Sequence, residues 1–146
     1  MYELSIVDRV DECIKQLVLD DPVRPEIGVD FRCHSPDNLI FVLRADSQVV
    51  AVLCCGFRSF VPSSVEELLK FEYASAVNAI FYSVWSYSKG SGRVIISMGR
   101  EWIKANLSHI SGFYTLSPLG ETVRNFHLGL GAIEWRKNNS SVNYKY

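Results

Sequence analysis

The sequence predicts an α+β fold, in which helices pack on a mixed β-sheet. Two candidate hairpins, one in each half of the chain, indicate antiparallel strands. A strand–helix–strand crossover lies between them and indicates a parallel pair in the middle of the sheet. The 146 residues, 48% of them apolar and 21% charged, are typical of one globular domain over residues 1–146.

The N-terminal part of the chain contains one long helix and the first hairpin. Apolar residues at spacings of three and four predict a helix from about Asp8 to Leu19. Val23–Asp37, together with its flanks, contains three prolines and is typical of a loop. β-Branched and aromatic residues then predict two strands, Asn38–Ala45 and Gln48–Arg58, with a two-residue turn between them.

The rest of the chain alternates strands and helices. Ser63 or Ser64, each followed three residues later by a glutamate, indicates a capping box that opens a short helix through Lys70. The remaining elements are predicted in this order: a strand Ala76–Trp85, a helix ending near Leu107, a strand Ile110–Leu116, a helix opened by Ser117-Pro118 and closed by Gly131, and a hairpin of Ala132–Arg136 with Val142–Tyr146.

Charge and composition exclude several classes of partner. Fifteen basic against sixteen acidic residues leave a net charge of −1, so we expect no nucleic-acid partner. The longest apolar stretch, Val49–Phe57, is too short to span a bilayer, and the N-terminus lacks a signal-peptide core. Neither the four cysteines nor the three histidines have metal-site spacing, so we expect reduced thiols, no metal and a cytoplasmic location.

A glycine-containing loop, Tyr87–Arg93, joins the central strand to the following helix. A helix N-terminus presents unpaired N–H groups and partial positive charge, and therefore binds phosphate. Glycines let the backbone approach the phosphate closely, while Lys89, Ser91 and Arg93 can add donors and charge. The alternative is an ordinary strand-to-helix turn, because such turns often contain glycine.

This loop resembles the (Gln/Arg)-x-x-Gly-x-(Gly/Ala) motif of the GNAT superfamily of acyl-CoA-dependent N-acetyltransferases, which binds the pyrophosphate of coenzyme A. Here Tyr87-x-x-Gly90-x-Gly92 keeps both glycines but has tyrosine in place of glutamine or arginine. The order of elements also resembles the GNAT fold. Phe126–Ala132 is similar to the family's LYEKLGF-like segment, with His127 in place of the tyrosine. The resemblance implies a mixed, splayed sheet that binds acetyl-CoA as acyl donor.

Two further segments resemble the GNAT-like catalytic part of malonyl-CoA decarboxylases. Ile80–Ser83 is similar to its FYSIS stretch, and Phe113–Pro118 is similar to its F-S-[ST]-L-S-P stretch. Because the decarboxylase is much longer, we interpret this likeness as support for acyl-CoA binding rather than for decarboxylation. Small GNAT-like proteins of bacteriophages look similar, and a phage protein would act in the host cytoplasm.

The resemblance also implies a set of cofactor-binding residues. In the family, backbone N–H groups of the splayed central strand bind the thioester carbonyl. By position, Val84, Trp85 and Ser86 lie nearest the acyl group in this chain. The phosphate-binding set then continues through the loop, with these members: Tyr87, Lys89, Gly90, Ser91, Gly92 and Arg93.

The candidate catalytic residues are His127 and Ser117. An imidazole titrates near neutral pH, so His127 could protonate the departing thiolate; the alternative is a packed helix histidine. Ser117 lies at the end of a strand, and its alternative role is to cap the helix that follows. Glu72 could act as a base through water or be an ordinary surface glutamate.

These observations predict an acyl-CoA-dependent N-acetyltransferase whose amine acceptor is not identified by the sequence. The rival prediction, from another class, is a non-catalytic GNAT-like protein with a binding or structural role, for example in a phage particle. The tyrosine at position 87 and the absence of an obvious base favour that rival. Decarboxylase-like chemistry is a third possibility.

Overall fold

The computed structural model describes residues 1–33, 36–70 and 75–146, and its elements follow the predicted strand and helix order closely. The helices are α1 (Glu12–Leu19), α2 (Val29–Arg32), α3 (Val65–Leu68), α4 (Ser91–Asn106) and α5 (Glu121–Gly129). The strands are β1 (Tyr2–Ile6), β2 (Asn38–Ala45), β3 (Gln48–Arg58), β4 (Asn78–Ser86), β5 (Gly112–Thr115), β6 (Ser117–Pro118), β7 (Ile133–Lys137) and β8 (Ser141–Lys145).

One mixed sheet contains all the strands of the described residues. Its order is β1-β2-β3-β4-β5-β8-β6, and β7 pairs with β8. The central pair β4–β5 is parallel, with α4 as the crossover, and the other pairs are antiparallel. The predicted α+β class with a parallel pair at its centre is therefore confirmed.

The β2–β3 hairpin forms with the predicted bounds. Its turn residues Asp46 and Ser47 both have positive φ, 52° and 69°, as a two-residue turn between right-twisted strands requires. Aspartate tolerates the left-handed conformation better than most residues, which explains why the short polar pair interrupts two strongly apolar strands.

Helices cover both faces of the sheet and enclose two apolar clusters. On one face, α1, α2 and α3 pack on the sheet and bury residues such as Ile14, Ile40 and Leu68. On the other face, α4 packs through Ile95 and Ile103, and the α5 residue Phe126 packs at the edge of the same cluster. The sheet is therefore buried on both sides around β4, where the candidate site lies.

Capping side chains set the first turns of two helices. Asp11 Oδ1 accepts a hydrogen bond from the Ile14 N–H (2.9 Å), so α1 begins later than its apolar spacing alone indicates. Ser64 Oγ accepts from the Glu67 N–H (3.1 Å), which makes Ser64, rather than Ser63, the N-cap of α3. The Glu67 carboxylate also accepts from the Ser63 N–H (2.8 Å). In the usual capping box it would accept from the N–H of the N-cap residue itself, which here is Ser64.

Two elements, β1 and α2, were not predicted from the sequence. Strand β1 pairs antiparallel with β2, and its alternation of apolar and polar residues was the signal that could have revealed it. The short helix α2 lies inside Val23–Asp37, which was predicted to be loop. A single turn of helix carries too little periodicity to be recognised in a sequence.

The prediction that Ser117-Pro118 opens a helix is wrong. These two residues form β6, in which Ser117 pairs with Val142 and Pro118 with Ser141. The chain then turns at Gly120, whose φ is 136°, and α5 begins at Glu121. A helix-opening proline and a strand-edge proline look alike in sequence, because both positions need no backbone N–H donor.

The four cysteines are free thiols, Cys13 exposed and Cys54 and Cys55 buried. Burial raises the pKa of the Cys54 thiol to about 11, so it stays protonated at neutral pH. Across the described part of the chain, no helix has both the length and the apolar character needed to cross a bilayer.

Candidate functional site

A cavity of about 230 Å³ opens where the two central strands separate. The parallel ladder joins β4 and β5 from Asn78 to Phe81, and the Leu116 N–H makes a last bond to the Phe81 carbonyl (3.1 Å). Beyond that bond β4 runs along the cavity, with β6, α4 and α5 on its other sides. The sheet is therefore splayed at its centre, as the resemblance implied.

A β-bulge in β4 redirects the strand at the start of the cavity. Cys55 of β3 pairs with Phe81 and Cys54 pairs with Ser83, so Tyr82 is the extra, unpaired residue of the ladder. The residues after the bulge that were predicted to lie near an acyl group all line the cavity: Val84, Trp85 and Ser86.

The glycine loop lies at the N-terminal end of α4 and reaches the same cavity. Gly90 is the N-cap, has φ of 85° and provides no capping side chain. In the first turn of α4, the Ser91 N–H donates to the Ser88 carbonyl (3.3 Å), and no side chain caps the turn. Gly92 lines the cavity, and a Cβ there would lie 3.5 Å from the Phe126 ring. A methyl group would therefore fit at this position, whereas a larger β-branched side chain would extend toward the Phe126 ring.

The polar side chains of the loop have unequal freedom. The buried Ser91 hydroxyl lies 2.7 Å from the carbonyl oxygens of both Val50 and Ser88, so it is used to hold the loop to β3. Arg93 Nη2 donates to the Gly129 carbonyl at the end of α5 (3.1 Å), while Lys89 is exposed. Lys89 and Arg93 thus supply the positive charge at this opening.

Tyr87 has partners on the other side of the loop. Its hydroxyl donates to Asp20 Oδ2 (2.7 Å) and accepts from Trp85 Nε1 (3.1 Å). Burial is the largest cause that raises the pKa of Tyr87, and the hydrogen bond to Asp20 is the second. The phenol therefore joins the end of β4 to the end of α1, which explains its presence without a phosphate contact.

Ser117 and His127 meet at the wall of the cavity. His127 Nε2 lies 3.2 Å from Ser117 Oγ, and His127 Nδ1 lies 2.6 Å from the Tyr146 hydroxyl. Ser117 Oγ also lies 2.7 Å from Thr115 Oγ1, and the Tyr144 ring stacks on the imidazole at 4.9 Å. Ser117 is therefore not a helix cap, and His127 is both packed and directed into the cavity.

Two backbone bonds hold the turn that carries His127. The Gly131 N–H donates to the Leu128 carbonyl (3.0 Å) and the Ala132 N–H donates to the His127 carbonyl (3.1 Å). This is the Schellman pattern, with Gly131 in the left-handed conformation at φ of 90°. The predicted closing glycine is confirmed, and it fixes the last turn of α5 against β7.

The charge state of His127 differs from the sequence expectation. Desolvation by burial lowers its pKa to about 4, so the imidazole is neutral at pH 7 and does not titrate there. A neutral ring offers one N–H donor and one lone pair, and the tautomer follows from its partners. The neutral ring can therefore either accept a hydrogen bond from Ser117 or donate one to it, depending on the tautomer.

Comparison with known proteins rests on structure alone, because no family model matches the chain and no curated protein matches its sequence. Malonyl-CoA decarboxylase from Rhodopseudomonas palustris superimposes with a TM-score of 0.77 at 18% identity, over 99% of this chain and 59% of that one. The N-acetyltransferase PseH from Campylobacter jejuni, in complex with acetyl coenzyme A, superimposes with a TM-score of 0.67 at 9% identity, over 100% and 98%. The chain has the GNAT fold.

The two kinds of GNAT-fold neighbour differ in length. The chain spans 35% of the malonyl-CoA decarboxylase from Agrobacterium vitis, at a TM-score of 0.70 and 19% identity over 86% of this chain. It spans little more than half of the Rhodopseudomonas enzyme but nearly all of PseH. The predicted likeness to GNAT acetyltransferases and to the GNAT-like part of the decarboxylases is thus confirmed at the level of fold.

A buried polar cluster in this GNAT fold was not predicted from the sequence. Ser83, which lines the cavity, donates to Asp21 Oδ2 (2.7 Å), and Arg32 Nη1 donates to the same oxygen (2.6 Å). Arg24 donates to the Leu116 carbonyl (2.8 Å), so the segment after α1 is bonded to both separated strands. No local signal in the sequence around Asp21 marks these long-range partners.

Glu72, the candidate base, lies outside the described residues. Within residues 1–33, 36–70 and 75–146, no group of three or more His, Cys, Asp or Glu side chains is arranged to hold a metal ion.

Proposed function

We propose that this protein binds acetyl-CoA, or a related acyl-CoA, in the cavity between β4 and β6 and transfers the acyl group to an amine. One observation carries the proposal. The cavity connects the glycine N-terminus of α4, through Gly92, with the Ser117–His127 pair. An acyl-CoA substrate requires both a phosphate-binding end for its coenzyme A part and a proton-transferring end for its thioester.

The arrangement supports a division of roles along the cavity. The N–H groups of the first turn of α4, with Lys89 and Arg93 nearby, can hold the pyrophosphate. The thioester would then lie along Val84–Ser86, after the bulge. As the amine attacks, the carbon–sulfur bond breaks and the thiolate takes a proton from the Ser117–His127 pair. The proton that the amine nitrogen loses restores the pair.

A second candidate function, decarboxylation of a malonyl-type acyl-CoA, is favoured by the chemistry of the cavity lining. No carboxylate is found among the described residues that line it, so deprotonation of an amine falls to His127, whose lowered pKa of about 4 makes it a weak base. Decarboxylation needs no base, because loss of CO₂ leaves an enolate that takes up one proton. The Ser117–His127 pair can supply that proton, and three malonyl-CoA decarboxylases superimpose with TM-scores between 0.70 and 0.77.

One experiment separates the candidates. The protein is incubated with acetyl-CoA plus a panel of primary amines, and separately with malonyl-CoA. Acyl transfer releases the CoA thiol, which a thiol reagent detects, whereas decarboxylation converts malonyl-CoA to acetyl-CoA with no thiol release. We expect thiol release that increases when an amine is added. Absence of calorimetric acetyl-CoA binding would instead support the non-catalytic binding or structural protein.

A histidine variant tests the residue assignment in whichever reaction is found. His127→Phe should retain acetyl-CoA affinity and lower turnover by about ten- to ten-thousandfold, the range for a lost proton-transfer group. His109→Phe is the matched control, because His109 is exposed and lies outside the cavity lining. Unchanged turnover in His127→Phe would return His127 to a purely packing role.

A further inference from the structure

We propose that Ser117 is a nucleophile that accepts the acyl group from the thioester, so that the protein also hydrolyses acyl-CoA when no amine is present. The inference rests on the proposed acyl-CoA site for its substrate but goes beyond it in reaction. It replaces direct transfer by a covalent acyl-serine, which either water or an amine can resolve.

The geometry is that of an activated serine. Ser117 Oγ lies 3.2 Å from His127 Nε2, and the opposite ring nitrogen lies 2.6 Å from the Tyr146 hydroxyl. A nucleophile in contact with a base, whose other side is held by a third group, is the arrangement that activates serine in unrelated hydrolases. Here Tyr146 stands where those enzymes place a carboxylate.

The surroundings keep this arrangement rigid. Ser117 and His127 are both 4% exposed, yet both line the cavity. The ring is stacked on Tyr144 with an interplanar angle of 25°, and Phe126 contacts its edge. Positioning of this kind removes the rotational freedom that would otherwise oppose attack by the serine.

The hydrogen-bonding inventory allows the required tautomer. Thr115 Oγ1 accepts from the Tyr144 N–H (3.0 Å), so its own O–H can donate to Ser117 Oγ and leave the single Ser117 O–H for His127. The Tyr146 hydroxyl oxygen can accept from Nδ1–H. His127 Nε2 then presents its lone pair to the Ser117 hydroxyl. Because burial keeps the ring neutral, with a pKa lowered to about 4, the base is unprotonated at neutral pH.

The reaction proceeds in two steps, acylation of Ser117 and hydrolysis of the acyl-serine. Ser117 Oγ attacks the thioester carbonyl carbon while its proton passes to His127 Nε2; the carbon–sulfur bond then breaks, and the thiolate takes that proton. Water attacks the resulting ester while giving a proton to Nε2. The carbon–oxygen bond breaks, Ser117 regains the proton and the free acid leaves.

The test uses two acetyl donors in the absence of amines. Acetyl-CoA requires the CoA site, whereas p-nitrophenyl acetate can reach the cavity without it. After acid quenching, we expect one added acetyl group on the peptide that contains Ser117, together with steady release of CoA thiol or nitrophenolate. Ser117→Ala should lower both signals by about a hundredfold or more, while the exposed Ser97→Ala should not.

Each outcome bears on the inference. Ser117→Cys, which keeps the shape of the site, should carry the acetyl group on sulfur and guards against misfolding of the alanine variant. Calorimetric binding of acetyl-CoA without acylation or hydrolysis by either donor would overturn the acyl-serine but leave the acyl-CoA site standing. Acylation of Ser117 by the nitrophenyl ester without acetyl-CoA binding would support the acyl-serine and overturn the proposed function. Undiminished hydrolysis in Ser117→Ala would overturn the acyl-serine.

Discussion

Asp21 and Arg32 form an ion pair of 2.6 Å with both side chains fully shielded from solvent. Arg32 also donates to the carbonyls of Ile27 (3.0 Å) and Arg24 (2.6 Å), so much of its donor capacity is used inside the protein. Asp21 accepts from Ser83 of β4 as well, which connects the pair to the cavity wall. A buried pair satisfied in this way holds the segment after α1 against the splayed strand.

The first prediction concerns this pair. Asp21→Asn should lower the free energy of unfolding by about 3–5 kcal/mol, because it leaves the Arg32 guanidinium buried without its counter-charge. Urea denaturation monitored by circular dichroism gives the value. Asp20→Asn, at the exposed neighbouring position, should cost less than about 1 kcal/mol. Equal losses in the two variants would mean that the pair is not the decisive contact.

The second prediction concerns the route from the loop to the cavity. Gly92→Val should weaken acetyl-CoA binding by about tenfold or more, because its methyl groups would project toward the Phe126 ring, 3.5 Å from the Cβ position. Gly92→Ala should bind nearly normally, since 3.5 Å is an ordinary van der Waals contact. Calorimetry compares the two. A valine variant that binds like the parent would show that the phosphate-binding loop was assigned to the wrong place.

The third prediction concerns Tyr87. Tyr87→Phe removes the bonds to Asp20 and Trp85 and should lower the free energy of unfolding by about 0.5–1.5 kcal/mol. Acetyl-CoA affinity should stay within about twofold, because the hydroxyl already has protein partners on both sides. A large loss of affinity with little loss of stability would reverse this view and make the phenol a phosphate ligand.

The fourth prediction follows from the charge state of His127. Its pKa is lowered from 6.5 to about 4 in the folded protein, so between these values the unfolded chain binds a proton that the folded chain does not. Stability is therefore full above pH 6.5 and falls as the pH drops toward 4, by up to about 3 kcal/mol from this group. His127→Gln should remove this part of the pH dependence, and the exposed His109→Gln should keep it. Denaturation at several pH values between 4 and 7 provides the measurement.

Local pattern was enough to predict the elements that make up the sheet centre. The β2–β3 hairpin, the glycine at the start of α4 and the closing Gly131 were read correctly, because each depends on residues adjacent in the chain. Strand alternation and turn formation depend on residues two to four positions apart, so both can be recognised in a single sequence. The order of these elements then indicated the fold before any coordinates.

The composition of the site depended on contacts that no local pattern encodes. Ser117 was known to follow a strand and His127 to lie on a helix, but whether they met depended on β6 pairing with β8 rather than opening a helix. Tyr146 was not among the predicted site residues, because only the pairing of β8 brings the end of the chain to the imidazole.

The sequence by itself determined the order of strands and helices and the position of the glycine loop, because short-range sterics and hydrophobic periodicity decide those. Only the tertiary structure decided the chemistry of the site. Burial of His127 within the packed cavity wall removed its neutral-pH titration, and the distant Asp21–Arg32 pair came into contact with β4 through Ser83. Solvent exclusion and long-range contacts are properties of the packed chain, and they arise only when segments far apart in sequence come together.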